Sequence, residues 1–347
     1  MPISVMLAGL SLLFCILASA DCCGNNKRAY FFICMVLLLL AYIRNPFIGT
    51  DSPNNYEAFM NISNGAQLNY GSGYLLYVKA IQIITTNYRV FLIVTATLIL
   101  APVFYILKKH EYRSFAVILY SLSMYSASFD VLKGYLALSF VLLAAYAWIE
   151  CGWKKRAVMF GIVGFFFHPS ILLFVAFLWI SRMIIEQKWW ILIYLAGAMF
   201  MIPQVREAAN RTVVIIGGWI SSRYADYIFE YYYSTTYVLL YGFASMLLML
   251  SYRRLIAGSV EKGNERSIRF QINMHLIGQW LALFGGFIPS VNRYMKFLLL
   301  FSIMLICECI KTNRDSENRI ILKMAFWVVY AIFVFLNNGG LVYTIGA

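Results

Sequence analysis

Arg44, Asp51, Lys133, His168, Arg223 and Arg293 are the residues of this sequence whose types and surroundings could do chemistry. Arg44 ends a long apolar run and opens a dense polar turn, Arg44-Asn-Pro-Phe-Ile-Gly-Thr-Asp51-Ser-Pro53, followed by aromatics at helical spacing, Tyr56 and Phe59. Lys133 stands in Asp130-Val-Leu-Lys133-Gly134, His168 in Phe165-Phe-Phe-His168-Pro169-Ser170. Arg223 and Arg293 each precede a tyrosine, Tyr224 and Tyr294. A guanidinium stays charged and grips phosphate oxygens with two parallel bonds, so an arginine set suits a diphosphate. An imidazole titrates near neutrality in its reference state and suits a general base, whereas a carboxylate in that role needs its pKa raised. Aromatic faces such as Tyr56, Tyr224 and Tyr294 can stack on sugar rings.

Each residue also has a plainer reading. Arg44 can snorkel to a membrane interface while Asp51 caps the helix that begins near Pro53. Lys133 can pair locally with Asp130 at i,i+3. Pro169 breaks a helix, and His168 can simply hydrogen-bond the freed backbone. The Arg-Tyr pairs fit an aromatic belt with snorkelling cations. Together, however, they place four cations, one histidine and one carboxylate at one membrane level, which packing alone does not ask for. Of the other histidines, His275 lies mid-helix with Asn273 and Gln279 and reads as an interhelical hydrogen-bonder; His110 reads as cytoplasmic surface.

The elements that must hold these residues are membrane helices. The chain is 62% hydrophobic and 12% charged, roughly half the charged share of a soluble domain. Apolar runs recur along its length, no barrel-like alternation appears, and lipid leaves no open backbone unsatisfied. The expected fold is an all-α polytopic membrane protein, a single domain over 1–347. About twelve spans are expected, at 3–20, 29–43, 90–107, 114–129, 134–150, 157–168, 170–185, 189–203, 236–252, 270–288, 294–310 and 320–336. Outer loops of about 44–89 and 203–236 hold interfacial helices; 74–84 is too short and polar for a confident span. The first run lacks a basic leader and a small-x-small site before Asp21, so it reads as a span rather than a cleaved signal.

With these spans, 19 of the 28 basic residues fall on one face, which the positive-inside rule makes cytoplasmic. The net charge of +13 is therefore mostly topological, and no nucleic-acid partner follows from it. The nine other cations lie near the outer face with only six acids, leaving it modestly positive and suited to an anionic ligand. No cysteine falls in an outer loop, so no disulfide is expected, and no His/Cys cluster has metal-site spacing.

Arg44-x4-Gly49-Thr-Asp51-x4-Tyr56-x2-Phe59, the His168-Pro-Ser break and Asn292-Arg293-Tyr294 at the head of a late span resemble the EpsG-type branch of the Wzy-class bacterial polysaccharide polymerases. Length and span number fit as well. The family commonly has an arginine where this chain has Lys133, and a glutamate near Tyr70-Gly-Ser-Gly-Tyr74. The resemblance implies a GT-C-like, metal-independent glycosyltransferase of the bacterial inner membrane, without a cofactor, acting on the periplasmic face. Its donor and acceptor would be undecaprenyl-diphosphate-linked glycans of an O-antigen or capsule, with a chain-length regulator as an open partner. Arg44, Arg223 and Arg293, with Lys133 auxiliary, would then hold diphosphates, Tyr56, Tyr224 and Tyr294 sugars, and His168 or Asp51 the proton. A lipid-linked oligosaccharide flippase would instead place its charges near the bilayer midplane. A membrane O-acyltransferase would carry its histidine early in the chain. These are the two rival classes.

Overall fold

The computed structural model describes residues 2–19, 27–48, 52–63, 72–168, 186–200, 202–220, 235–261, 263–284, 291–313 and 315–337. They form fifteen helices and, among the described residues, no sheet. These are α1 Ile3–Ser19, α2 Lys27–Ile43, α3 Ser52–Ser63, α4 Ser72–Ile84, α5 Tyr88–Leu107, α6 Arg113–Ser123, α7 Ala127–Asp130, α8 Leu132–Ile149, α9 Lys154–Phe167, α10 Gln187–Met199, α11 Pro203–Ile220, α12 Thr235–Glu261, α13 Glu265–Phe284, α14 Val291–Thr312 and α15 Ser316–Asn337. Ten of the expected spans each coincide with one helix; the one at 114–129 covers two, and the one at 170–185 lies outside the described residues. By length and composition, α5, α8, α12 and α15 can each cross a bilayer, and the chain is a multi-pass membrane protein.

The helices sort into two compact units, α1–α9 with α15, and α10–α14. In the first, α6 is buried along its whole length beneath α1, α2, α5 and α15. Its serines survive there because Ser121 Oγ donates to Ile118 O and Ser123 Oγ to Leu119 O, at 2.7 and 2.8 Å. The span expected over 114–129 is two elements: α6 stops at Ser123, a turn follows, and the four-residue α7 carries Phe129. The structure also bends the expected long loops into helices. Residues 72–84 form α4, whose thirteen residues reach only about 20 Å, short of a hydrocarbon core. Tyr74, Val78 and Ile81 face inward, while Leu76, Ile83 and Ile84 are exposed. α11 occupies much of the second loop.

Contacts at the helix ends separate two poles of this unit. At one, Lys108 Nζ stands 5.0 Å over the Phe31 ring, Lys323 Nζ 4.4 Å over Tyr112, and Tyr105 lies 5.6 Å from Tyr146. At the other, Arg89 Nη1 donates to Tyr42 O at 3.3 Å, joining the start of α5 to the end of α2. The basic ends thus gather together. His110, in the turn between α5 and α6 at the basic pole, is 9% exposed: the turn folds it inward, contrary to its expected place on the surface.

The second unit is built on α12, α13 and α14, with α10 against α13. Leu248, Leu255, Ile272, Leu276 and Leu305 share its core. His275 is fully buried at the centre, with Nε2 2.8 Å from Ser245 Oγ on α12 and Nδ1 2.8 Å from Ser302 Oγ on α14. Ser245 Oγ donates to Gln279 Oε1 at 2.6 Å, so its lone pair accepts from Nε2–H and Ser302 donates to Nδ1. His275 is the interhelical hydrogen-bonder its setting in the sequence suggests.

Candidate functional site

Four of the singled-out residues meet at the pole of the first unit opposite its basic end. Arg44 follows the last residue of α2, and its guanidinium lies 4.3 Å over the Phe129 ring of α7. Nη1 points at Ile48 O at 3.5 Å, and Ser52 Oγ bonds the same carbonyl, so the polar turn is closed from both ends. Arg44 is only 2% exposed. Such a fork, stacked on an aromatic face, is held by the protein interior.

Lys133, in the first turn of α8, is half-buried, with Nζ 5.4 Å over the ring of Tyr74 on α4. This contact links Lys133 to α4; the side chain of Asp130 lies outside the described residues. Tyr74 sits beside Tyr77, and Tyr77 packs edge-on against Phe167 at 5.4 Å, the last residue of α9. His168 follows directly. A residue before proline is driven out of the helical region, and His168 is extended, φ −154° and ψ 115°, while its N–H donates to Gly164 O. It is half-buried. The rings continue from Tyr77 to Phe91 and Tyr88, then to Tyr56, whose ring lies 5.1 Å from Tyr88 and 5.2 Å from Phe47.

Tyr56, Lys133 and His168 therefore stand along one connected aromatic framework made by α3, α4, α5 and α9, and Arg44, stacked on Phe129 of α7, adjoins it through the turn that carries Phe47. Two supports were not evident from the sequence. By sequence Phe129 is the tail of the span expected over 114–129, and its place beneath Arg44 depends on α6 ending early. Gly73 lets α4 touch the end of α9: a Cβ there would overlap the Phe166 carbonyl. Asp51, Arg223 and Tyr224 lie outside the described residues. Arg293 and Tyr294 belong to the first turn of α14, in the second unit, and their side chains lie outside the description.

The EpsG family matches residues 27–339, nearly the whole chain. The chain belongs to the EpsG family. This is a Wzy-like polysaccharide polymerase family, so the protein is a polysaccharide-polymerase-type membrane enzyme. No curated protein and no solved structure matches it. Arg44 to Phe59 falls inside the matched residues, as do Lys133, His168 and Arg293.

Proposed function

We propose that this EpsG-family protein extends a surface polysaccharide by joining repeat units carried on undecaprenyl diphosphate, at the outer face of the bacterial inner membrane. The observation that carries the reading is the meeting of Lys133, His168, Tyr56 and the Arg44 turn at one pole of the first unit. In the reaction, a hydroxyl of the acceptor's terminal sugar attacks the anomeric carbon of the donor glycan. The new glycosidic C–O bond forms as the bond from that carbon to the diphosphate oxygen breaks. The hydroxyl proton passes to His168, or to Asp51, and the polyprenyl diphosphate leaves with its electron pair.

The leaving group is already activated, so the protein need only neutralise the departing charge and accept one proton. In this reading Lys133, Arg223 and Arg293 meet the diphosphates, and Tyr56, Tyr224 and Tyr294 flank sugar rings. The transfer needs no metal. Arg44 serves the donor site through the turn it closes rather than by contact, because Phe129 covers its guanidinium. A buried cation that already has an aromatic face and a carbonyl is poorly placed to take a ligand without moving both.

The test is glycan chain length. Cells lacking the gene are complemented with wild type, His168→Ala or Lys133→Ala, and surface polysaccharide is resolved on a gel. Wild type gives a ladder; His168→Ala collapses it to single repeats, and Lys133→Ala shortens or thins it. An unaltered ladder in both variants, with protein inserted at normal levels, refutes the site assignment. Lipid-linked units trapped inside would indicate a flippase, and an intact ladder lacking acetyl groups an acyltransferase.

A further inference from the structure

We propose that Tyr88 is a further sugar-binding residue of the candidate site, its buried hydroxyl donating a hydrogen bond to a hydroxyl oxygen of the glycan unit that packs against Tyr56. The inference rests on the reading of this site as one for lipid-linked sugars, and it adds a residue that decides which sugar the site takes.

Tyr88 opens α5, directly after the Asn87 cap, whose side chain accepts from the Arg89 N–H. Its ring stacks on Phe91 with centroids 5.6 Å apart and 22° between the planes, meets Phe59 at 5.4 Å and Tyr56 edge-on at 5.1 Å. Two further bonds brace the same place: Arg89 Nη1 donates to Tyr42 O, and Gln82 Nε2 to Phe59 O at 2.8 Å. The side chain is thus fixed by its ring and is 7% exposed. A phenylalanine would make every one of these ring contacts. The hydroxyl, however, is buried and has no hydrogen-bond partner among the described residues. It lies within electrostatic reach of the Arg44 guanidinium and the Tyr56 hydroxyl, inside the site rather than at its margin.

A buried hydroxyl without a partner weighs against the folded state and adds no packing that a bare ring lacks. Its O–H needs an acceptor, and a guanidinium offers only donors. A sugar hydroxyl supplies that acceptor. A diphosphate fits less well, because the cation beside Tyr88, Arg44, is already stacked on Phe129. The way in is along the same stack: Tyr56 is half-buried, and Phe47, 5.2 Å from it, is 52% exposed. The arriving sugar turns the Tyr56 ring off Tyr88, stacks on that ring and brings one hydroxyl to the phenol. A site that hydrogen-bonds a particular hydroxyl rejects a sugar lacking it, since the phenol is then left unpaired again.

The experiment uses the full-length protein purified in neutral detergent, as wild type, Tyr88→Phe and Tyr105→Phe, the last a hydroxyl removed at the basic pole. The probes are lipid-linked repeat units extracted from cells lacking the gene, and the oligosaccharide released from them by mild acid. Three quantities are read: Tm without ligand, the rise in Tm on adding the oligosaccharide, and kcat and KM with the lipid-linked units. Tyr88→Phe should keep Tm or raise it by about 1–2 °C, since it removes an unpaired buried group. It should also abolish most of the rise given by the oligosaccharide and increase KM about tenfold, with a smaller fall in kcat. Tyr105→Phe should match wild type in the oligosaccharide shift and in KM. A wild-type KM and oligosaccharide shift in Tyr88→Phe overturn the proposal while leaving the polymerase reading intact. A lowered Tm in Tyr88→Phe with KM unchanged makes the hydroxyl structural and overturns it too, as does an equal effect of Tyr105→Phe. If wild type does not polymerise but Tyr88→Phe still loses the oligosaccharide shift, the polymerase reading fails and the sugar site stands. Neither polymerisation nor a shift in wild type refutes both.

Discussion

At the residue scale, Arg44 shows how one charge can be read two ways until its surroundings are known. Its type suits a diphosphate, yet its guanidinium stacks on Phe129 and closes the turn at Ile48 O. A residue that acts through such a turn affects geometry more than affinity. Arg44→Ala should lower kcat about 10²-fold, the order of cost for a small misplacement of reacting groups, with KM nearly unchanged. Phe129→Leu should reproduce part of that loss, and the double variant should be no worse than Arg44→Ala alone. Steady-state kinetics on purified variants distinguish this from direct contact, which predicts a raised KM and a silent Phe129. Arg44→Lys should not rescue, since an ammonium lacks the planar face that stacks.

At the scale of elements, two helix pairings decide what the site residues can do. α4 reaches the end of α9 only because position 73 has no side chain. Gly73→Ala should therefore push α4 off Phe166, part Lys133 from Tyr74, and reduce polymer length while the protein still inserts; the gel ladder and membrane protein levels report both. In the second unit, His275 ties α12, α13 and α14 through Ser245 and Ser302. Removing it leaves two buried hydroxyls short of a partner and opens a cavity. His275→Ala should cost about 1–3 kcal/mol, read as a lowered Tm of the purified protein. Its activity well below that temperature should be near normal, because the clamp is structural.

At the scale of the whole molecule, the arrangement of charge sets the orientation. The first unit has its basic helix ends at one pole and the candidate site at the other. In a cysteine-free background, Asn54→Cys on α3 should react with a membrane-impermeant maleimide added to intact spheroplasts, and Lys155→Cys on α9 should react only after lysis. Labelling in the reverse pattern would move the chemistry to the cytoplasmic face and remove the outer-face reading.

The helical membrane character, most helix positions, the gathering of basic ends and the family resemblance all follow from the sequence alone. Each depends on composition, on apolar run length or on a local motif, and local physics suffices to read those. The break after α9 was legible for the same reason: Pro169 acts on its immediate neighbour. What required the tertiary structure were the relations between residues distant in the chain. Phe129 covering Arg44, Tyr74 beneath Lys133 and Gly73 against Phe166 join segments 59 to 93 positions apart along the chain, and no periodicity encodes which ring meets which cation. The burial of His110 belongs to the same class. A sequence records that a side chain is charged; only the packed helices decide whether water, lipid or another side chain faces it.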